Sequence, residues 1–176
     1  ATPPDTHVAL IELALASGVR RIICQKPFCG TLGAARRATG LAADAGADLI
    51  VHENFRFQPW YRALKDIIAS GRLGHIFQFR FALRPGDGRG PDAYLDRQPY
   101  FQTMDRFLVH ETAVHFLDVF IYLLGWPDHV YADLRRLNPH IAGEDAGLII
   151  LGYADGRRAV FDLSLIHISE PTRPLY

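Results

Sequence analysis

Val19-Arg20-Arg21-Ile22-Ile23-Cys24-Gln25-Lys26-Pro27 is the stretch on which the reading of the fold turns. Its apolar run, residues 22–24, predicts a buried parallel strand that ends in a polar residue, a lysine and a proline. In open α/β sheets ligands gather at the carboxyl ends of strands, so such a strand delivers Lys26 to a place where chemistry can occur. Pro27 fixes its own φ and biases Lys26 toward extended backbone, which stops the strand there. Taken alone, a strand-end Lys-Pro is a solvated turn. Its neighbours give it weight.

Upstream, residues 8–16 are rich in helix formers and Ser17-Gly18 supplies a stop. Downstream, Thr31 caps a second helix to about residue 45, closed by Gly46, and Asp48-Leu49-Ile50-Val51-His52 reads as the next strand. Helices alternating with strands at this spacing predict βαβ units on a parallel sheet. A dinucleotide fold cradles pyrophosphate on a G-x-G-x-x-G turn, and none stands in the 176 residues. The dense glycine run Gly86-Asp87-Gly88-Arg89-Gly90 precedes Pro91 and more loop, so it reads as a mobile loop and not a phosphate cradle. The expectation is the C-terminal half of a Rossmann domain, with its glycine-rich first half outside the sequence.

Past His52 the pattern changes. Pro59 begins a helix closed by Gly71-Arg72-Leu73-Gly74, and residues 76–83 alternate in part with period two, as a half-buried strand does. The polar stretch 84–105 has no periodicity and is long enough for a functional lid. A helix from about Thr112 to Leu124 follows, then strands over 130–137, 146–153 and 158–163, the last two joined by an Asp155-Gly156 hairpin turn. This predicts a second, α+β domain with a largely antiparallel sheet. The expected divisions are 1–57 for the partial Rossmann domain and 58–162 for an incomplete substrate-binding and oligomerisation domain. Residues 163–176 are expected to be an artefactual tail, because 163–173 resemble the translated transposase adapter used in preparing DNA sequencing libraries. That tail is set aside, so His167 receives no role.

Composition narrows the function classes. Hydrophobic content of 49% and charged content of 22% describe a globular protein without a disorder signature. Zero net charge and a pI near 7.3 give no electrostatic footprint for nucleic acid or an anionic membrane. The two cysteines flank Lys26-Pro27 and are read as free thiols in a reducing cytoplasm; two cysteines make no metal site. No apolar run is long enough to cross a bilayer.

Glu111, His115 and Asp118 stand at i, i+4 and i+7, one face of a helix otherwise built from Val114, Phe116, Leu117, Val119 and Phe120. A polar stripe in such a helix must find partners or line a wet cavity, since unpaired burial costs about 1–3 kcal/mol per group. His115 is therefore a candidate functional histidine, against the plainer possibility of a structural polar network.

The order of motifs Thr2-Pro3-Pro4-Asp5-Thr6-His7, Gln25-Lys26-Pro27, Asn54-Phe55-Arg56-Phe57-Gln58-Pro59 and His115-Phe116-Leu117-Asp118 resembles the Gfo/Idh/MocA oxidoreductases. The resemblance runs from Ala1 to about Asp162. It implies an NAD(P)-dependent dehydrogenase that moves hydride between a nicotinamide, of NAD or NADP, and a hydroxyl of a sugar, sugar derivative or cyclitol. It implies catalytic roles for Lys26, His115 and Glu111, the last standing where the family has aspartate. Cofactor contacts fall on Thr2, Pro3, His7, Gln25, Lys26, Pro27 and Asn54. Substrate contacts fall on Lys26, Arg56, Phe57, Glu111 and His115. Gln25 replaces the family's glutamate and removes a negative charge beside Lys26. No metal is implied, and a homo-oligomer of the full-length protein is. A non-catalytic dinucleotide-binding regulator and an oligomeric scaffold of the same family stay open as alternatives; retention of Lys26 and His115 speaks against the first.

Overall fold

In the computed structural model, which describes residues 2–168, the Lys-Pro strand forms where its apolar run predicts. β1 (Arg21–Gln25) pairs in parallel with β2 (Asp48–His52), Ile22 opposite Leu49 and Cys24 opposite Val51. Helix α1 (His7–Ala16) precedes β1, and α2 (Leu32–Asp44) makes the crossover to β2. Thr31 starts α2 by accepting the Ala34 N–H on its hydroxyl at 3.1 Å. Gly18 and Gly46, at φ of +84° and +60°, end the two helices in the left-handed conformation that a side chain disfavours. Ile11, Cys24 and Ala38 form the core between helices and sheet, with Ile22 and Leu49 packed against it. The strands' other residues, Ile23 and Ile50, are 71% and 57% exposed. These elements belong to the first of two compact units, Ala1–Asn54.

The second unit, Phe55–Tyr176, packs helices on one face of a four-stranded sheet. Helix α3 (Pro59–Ala69) leads to β3 (Gln78–Leu83). A π-helix (Leu108–Ala113) runs into α4 (Val114–Leu124), and β4 (His129–Arg135), β5 (Ala146–Gly152) and β6 (Arg158–Ser164) follow. The strand order is β3-β6-β5-β4; β4, β5 and β6 are antiparallel neighbours, while β3 lies parallel to β6. The inward residues of β6, namely Ala159, Phe161 and Leu163, are essentially unexposed. Phe161 packs on Phe116 with ring centroids 5.1 Å apart and on Phe81 at 5.9 Å. This aromatic layer, with Phe79 and Phe120, anchors α4 to the sheet.

Two expectations change. The glycine run 86–90 is strapped down: buried Asn138 donates from Nδ2 to the carbonyls of Gly88 and Gly90, each at 2.8 Å, and the Gly88 N–H reaches the Leu165 carbonyl. The adapter-like segment is also built into the sheet at its start. Leu163 and Leu165 keep the inward alternation of β6 and are 1% and 4% exposed, and the Leu165 N–H bonds the Asp145 carbonyl. Beyond them Ile168 is 57% exposed and bridges to Pro85. The rest of that tail lies outside the described residues.

Candidate active site

The helix that carries His115 starts earlier, and wider, than a 3.6-residue period predicts. Its first turn is the π-helix, and its leading N–H groups are satisfied from a loop about 35 residues downstream. The Leu108 N–H donates to the Glu144 carbonyl and the Val109 N–H to the Glu144 carboxylate, both at 3.1 Å. Gly143 lets that loop approach: a Cβ there would lie 2.4 Å from the Met104 carbonyl oxygen. π-turns of this kind are frequent at functional sites.

Below the turn is a cavity of about 250 Å³, wholly within the second unit. Glu111 and Thr112 reach it from the π-helix, His115 and Phe116 from α4, Phe55 from the turn before α3, and Asp87, Tyr94, Arg97 and Gln98 from the loop after β3. The His115 ring stacks on Phe55, centroids 4.1 Å apart and planes 13° apart, and Phe55 in turn meets Phe116 edge-on. The imidazole is thereby held in plane at the cavity wall.

The polar stripe read from the sequence divides. Glu111 and His115 share the cavity, whereas Asp118 turns to Arg56 and accepts from its Nε at 2.7 Å and from a second guanidinium nitrogen. Arg56, half-buried in this fork, also lies 5.7 Å from the centre of the Tyr122 ring. Arg56 is thus engaged in an ion pair and Phe57 is 64% exposed, and neither lines the cavity that the family resemblance expects them to reach. The sequence does not mark Asp87, Tyr94, Arg97, Gln98 or Thr112 as site residues, since all but Thr112 lie in a polar stretch without periodicity. Tyr94 is distinguished in the structure by φ of +68°, rare for a residue with a side chain, and by its hydroxyl donating to Asp87 at 3.3 Å. Burial, then the charge and hydrogen bond of Asp87 and the charge of Asp145, push its phenol far above the usual range, with Arg97 opposing. Tyr94 is thus a standing donor. Burial, aided by Arg106 and opposed by Glu144, pushes the His110 imidazole down.

In the first unit, Thr2, His7, Gln25 and His52 line a cavity of about 360 Å³ with Leu10, Ile11, Ile22, Ile23 and Cys24. Lys26 follows Gln25 at the carboxyl end of β1, joined to Pro27 by a cis peptide bond, and its N–H bonds the Gln25 side-chain oxygen at 2.9 Å. Asn54 stands two residues past β2. His7 is 4% exposed, and its ring nitrogens lie 2.8 Å and 3.0 Å from the carbonyl oxygens of Phe28 and Thr2. The ring is therefore engaged in fastening the Thr2-Pro3-Pro4 turn to the loop after β1. Both cysteines are free thiols, pushed up by burial and so poor nucleophiles. Among the described residues no cluster of histidine, cysteine and carboxylate could hold a metal ion, and no helix is long and apolar enough to cross a membrane.

Residues 61–173 match the family model of the GFO/IDH/MocA C-terminal domain, and the chain belongs to that family. It is 37% identical over 164 residues to D-apiose dehydrogenase of Rhizobium rhizogenes, a match covering 93% of this chain and 46% of the relative. It is likewise 37% identical to D-apiose dehydrogenase of Paraburkholderia graminis, across 100% of this chain and 45% of that protein. Among solved structures it resembles an oxidoreductase from Agrobacterium radiobacter in complex with NAD+, L-tartaric acid and magnesium. That likeness has 35% identity and a TM-score of 0.86, covering 99% of this chain and 49% of the other. The chain thus spans about half the length of the relatives it matches.

Proposed function

We propose that the full-length protein is an NAD(P)-dependent dehydrogenase of a sugar, sugar derivative or cyclitol, and that this chain carries its acid–base residues. The observation that carries the reading is the pairing of Glu111 with His115 on one small cavity, the imidazole braced by Phe55. Oxidising an alcohol removes the hydroxyl proton as hydride leaves, and a positioned imidazole is suited to take it. In this reading a ring nitrogen of His115 accepts that proton. The Glu111 carboxylate steadies the cation that forms. Membership in the family and the D-apiose dehydrogenase relatives support it.

The residues present fit one end of a dinucleotide. Parallel strands deliver Gln25, Lys26 and His52 to their carboxyl ends beside a cavity with both polar and apolar walls, where Thr2 joins them. Gln25, Lys26, Pro27, Asn54 and the Thr2-Pro3 turn would hold the nicotinamide end, with His7 fastening that turn. When bound, the nicotinamide supplies the hydride acceptor. Self-association and a cytoplasmic setting complete the proposal; light scattering of the full-length protein tests the first.

The decisive assay is nicotinamide reduction by the full-length protein over a panel of pentoses, hexoses and cyclitols. His115→Ala should lower turnover about 10²–10⁴-fold, with little change in cofactor affinity. Near-normal turnover in that variant would remove His115 from the mechanism.

A further inference from the structure

Resting on the dehydrogenase reading above, we propose that Asp87, Tyr94, Arg97 and Gln98 form a subsite for a pair of uncharged neighbouring hydroxyls. The same subsite rejects a carboxylate or phosphate placed there.

The chemistry of the four side chains leads to this. An ionised carboxylate only accepts hydrogen bonds, at about four lone-pair positions over its two oxygens. Tyr94 occupies one of those positions on Asp87 from a fixed direction. Its ring is wedged against Phe101 and Phe107, centroids 5.3 Å and 5.1 Å away, and its own carbonyl accepts the N–H groups of Arg97 and Gln98. Gly88 brings the loop backbone close under the phenol: a Cβ there would lie 2.9 Å from the Tyr94 hydroxyl and 3.0 Å from Leu165. Asn138 then locks the loop by its two carbonyls. Asp87 is therefore held on a rigid support, with accepting positions left for a ligand that must supply protons.

A hydroxyl meets both needs of this wall. It donates to Asp87 and can accept from the Arg97 guanidinium or the Gln98 amide beside it, and two adjacent hydroxyls do so together. A ligand carboxylate or phosphate brings no proton to Asp87 and sets like charge against it. The remaining lining, Phe55, Leu83, Phe101, Phe107, Phe116 and Leu165, offers apolar surface to the C–H faces of a small ring.

The test is NMR titration of the isotope-labelled 176-residue chain with D-apiose, D-xylose and myo-inositol as neutral probes and D-glucuronate as the acid. At least one neutral probe should shift amides of residues 87–98 and 111–116 and bind at least about tenfold more tightly than D-glucuronate. Asp87→Ala should weaken that binding about tenfold or more, as loss of a hydrogen bond to a charged group does. Asp87→Asn, which keeps the shape, should narrow the preference over the acid. Tyr94→Phe should weaken neutral binding several-fold. Equal or tighter binding of D-glucuronate, or a dissociation constant indifferent to Asp87, overturns the subsite. If binding ignores Asp87 but is lost in Glu111→Gln, the subsite falls and the dehydrogenase reading stands. If no probe shifts the cavity's amides, the subsite falls, and nicotinamide reduction by the full-length protein decides the dehydrogenase reading separately.

Discussion

Asn138→Asp exchanges one NH2 for an oxygen, and the structure makes that exchange worse than deleting the side chain. Asn138 is 4% exposed. Its Nδ2 serves the carbonyls of Gly88 and Gly90, its Oδ1 accepts the His140 N–H at 3.0 Å, and its own N–H bonds the fully buried Asp145 carboxylate at 2.7 Å. In Asn138→Ala the carbonyl of buried Gly88 loses this donor, while the Gly90 carbonyl and the His140 N–H, both more exposed, can turn to water. One stranded buried acceptor costs about 1–3 kcal/mol, so about 2 kcal/mol is expected, a factor of about 30 in the opening of the loop. In Asn138→Asp the Oδ1 bond survives, but an anionic oxygen faces two carbonyl oxygens with the Asp145 carboxylate nearby. The new carboxyl must be desolvated beside like charge or take up a proton, and either raises its folded pKa. A raised acid costs little below its unfolded value, near 3.9, and its full penalty arrives as pH rises through the folded value. Asn138→Asp should therefore be the least stable of the three proteins at neutral pH and regain ground toward pH 4. Both tryptophans, Trp60 and Trp126, lie in the second unit, so urea unfolding by tryptophan fluorescence reads that unit directly. Hydrogen exchange at the Gly88 amide, which bonds Leu165, reads the loop. Equal stability of Asn138→Asp and wild type at pH 7, or unchanged exchange at Gly88 in Asn138→Ala, would refute the strap.

Asp162 gives a second pH test. Burial pushes its carboxyl up, but hydrogen bonds and charge from Arg84 and Arg80 outweigh this and hold it below the usual carboxylate range. Its stabilisation is present above about pH 4 and is lost as pH falls through the depressed folded value. Asp162→Asn should cost about 1–2 kcal/mol at pH 7, and the difference from wild type should shrink in acid urea titrations. His110 has its imidazole pushed down by burial, so the fold favours the neutral ring. Its stabilisation is present above about pH 6.5 and lost as pH falls below it. His110→Gln should flatten the decline of melting temperature on that side, and an identical slope would contradict the assignment.

How much of the fold could be read from the chain depends on whether the signal was local. The β1 strand, the cap at Thr31 and the glycine stops at Gly18 and Gly46 each sit within the few residues that determine them, and they appear where read. Pairing is another matter. Period-two alternation in residues 76–83 says which side chains face inward but not which strand lies alongside, and β3 joins β6, the most distant strand in the chain, in parallel. Nor does alternation mark a foreign segment. Leu163 and Leu165 are the right type at the right spacing, and the sheet accepts them whatever the origin of the codons that follow.

The candidate site shows the same division at finer scale. Glu111 and His115 were legible because four residues separate them on what reads as one helix, and the wide turn between them still sends both to the cavity. Asp118 fits the same face by spacing, yet Arg56, 62 residues away, takes both its oxygens. Spacing fixes a direction around the helix axis; the group that waits in that direction is set by the tertiary fold. Asp87, Arg97 and Gln98 lie in a loop whose polar letters fit any solvated surface. What makes them a wall is Asn138, a lone polar residue whose partners are backbone carbonyls about 50 residues away and have no side chain to read. A strapped loop and a mobile one can share a composition. Only the donors and acceptors that close on the backbone distinguish them, so the half of this cavity most able to select a ligand is the half that the sequence leaves blank.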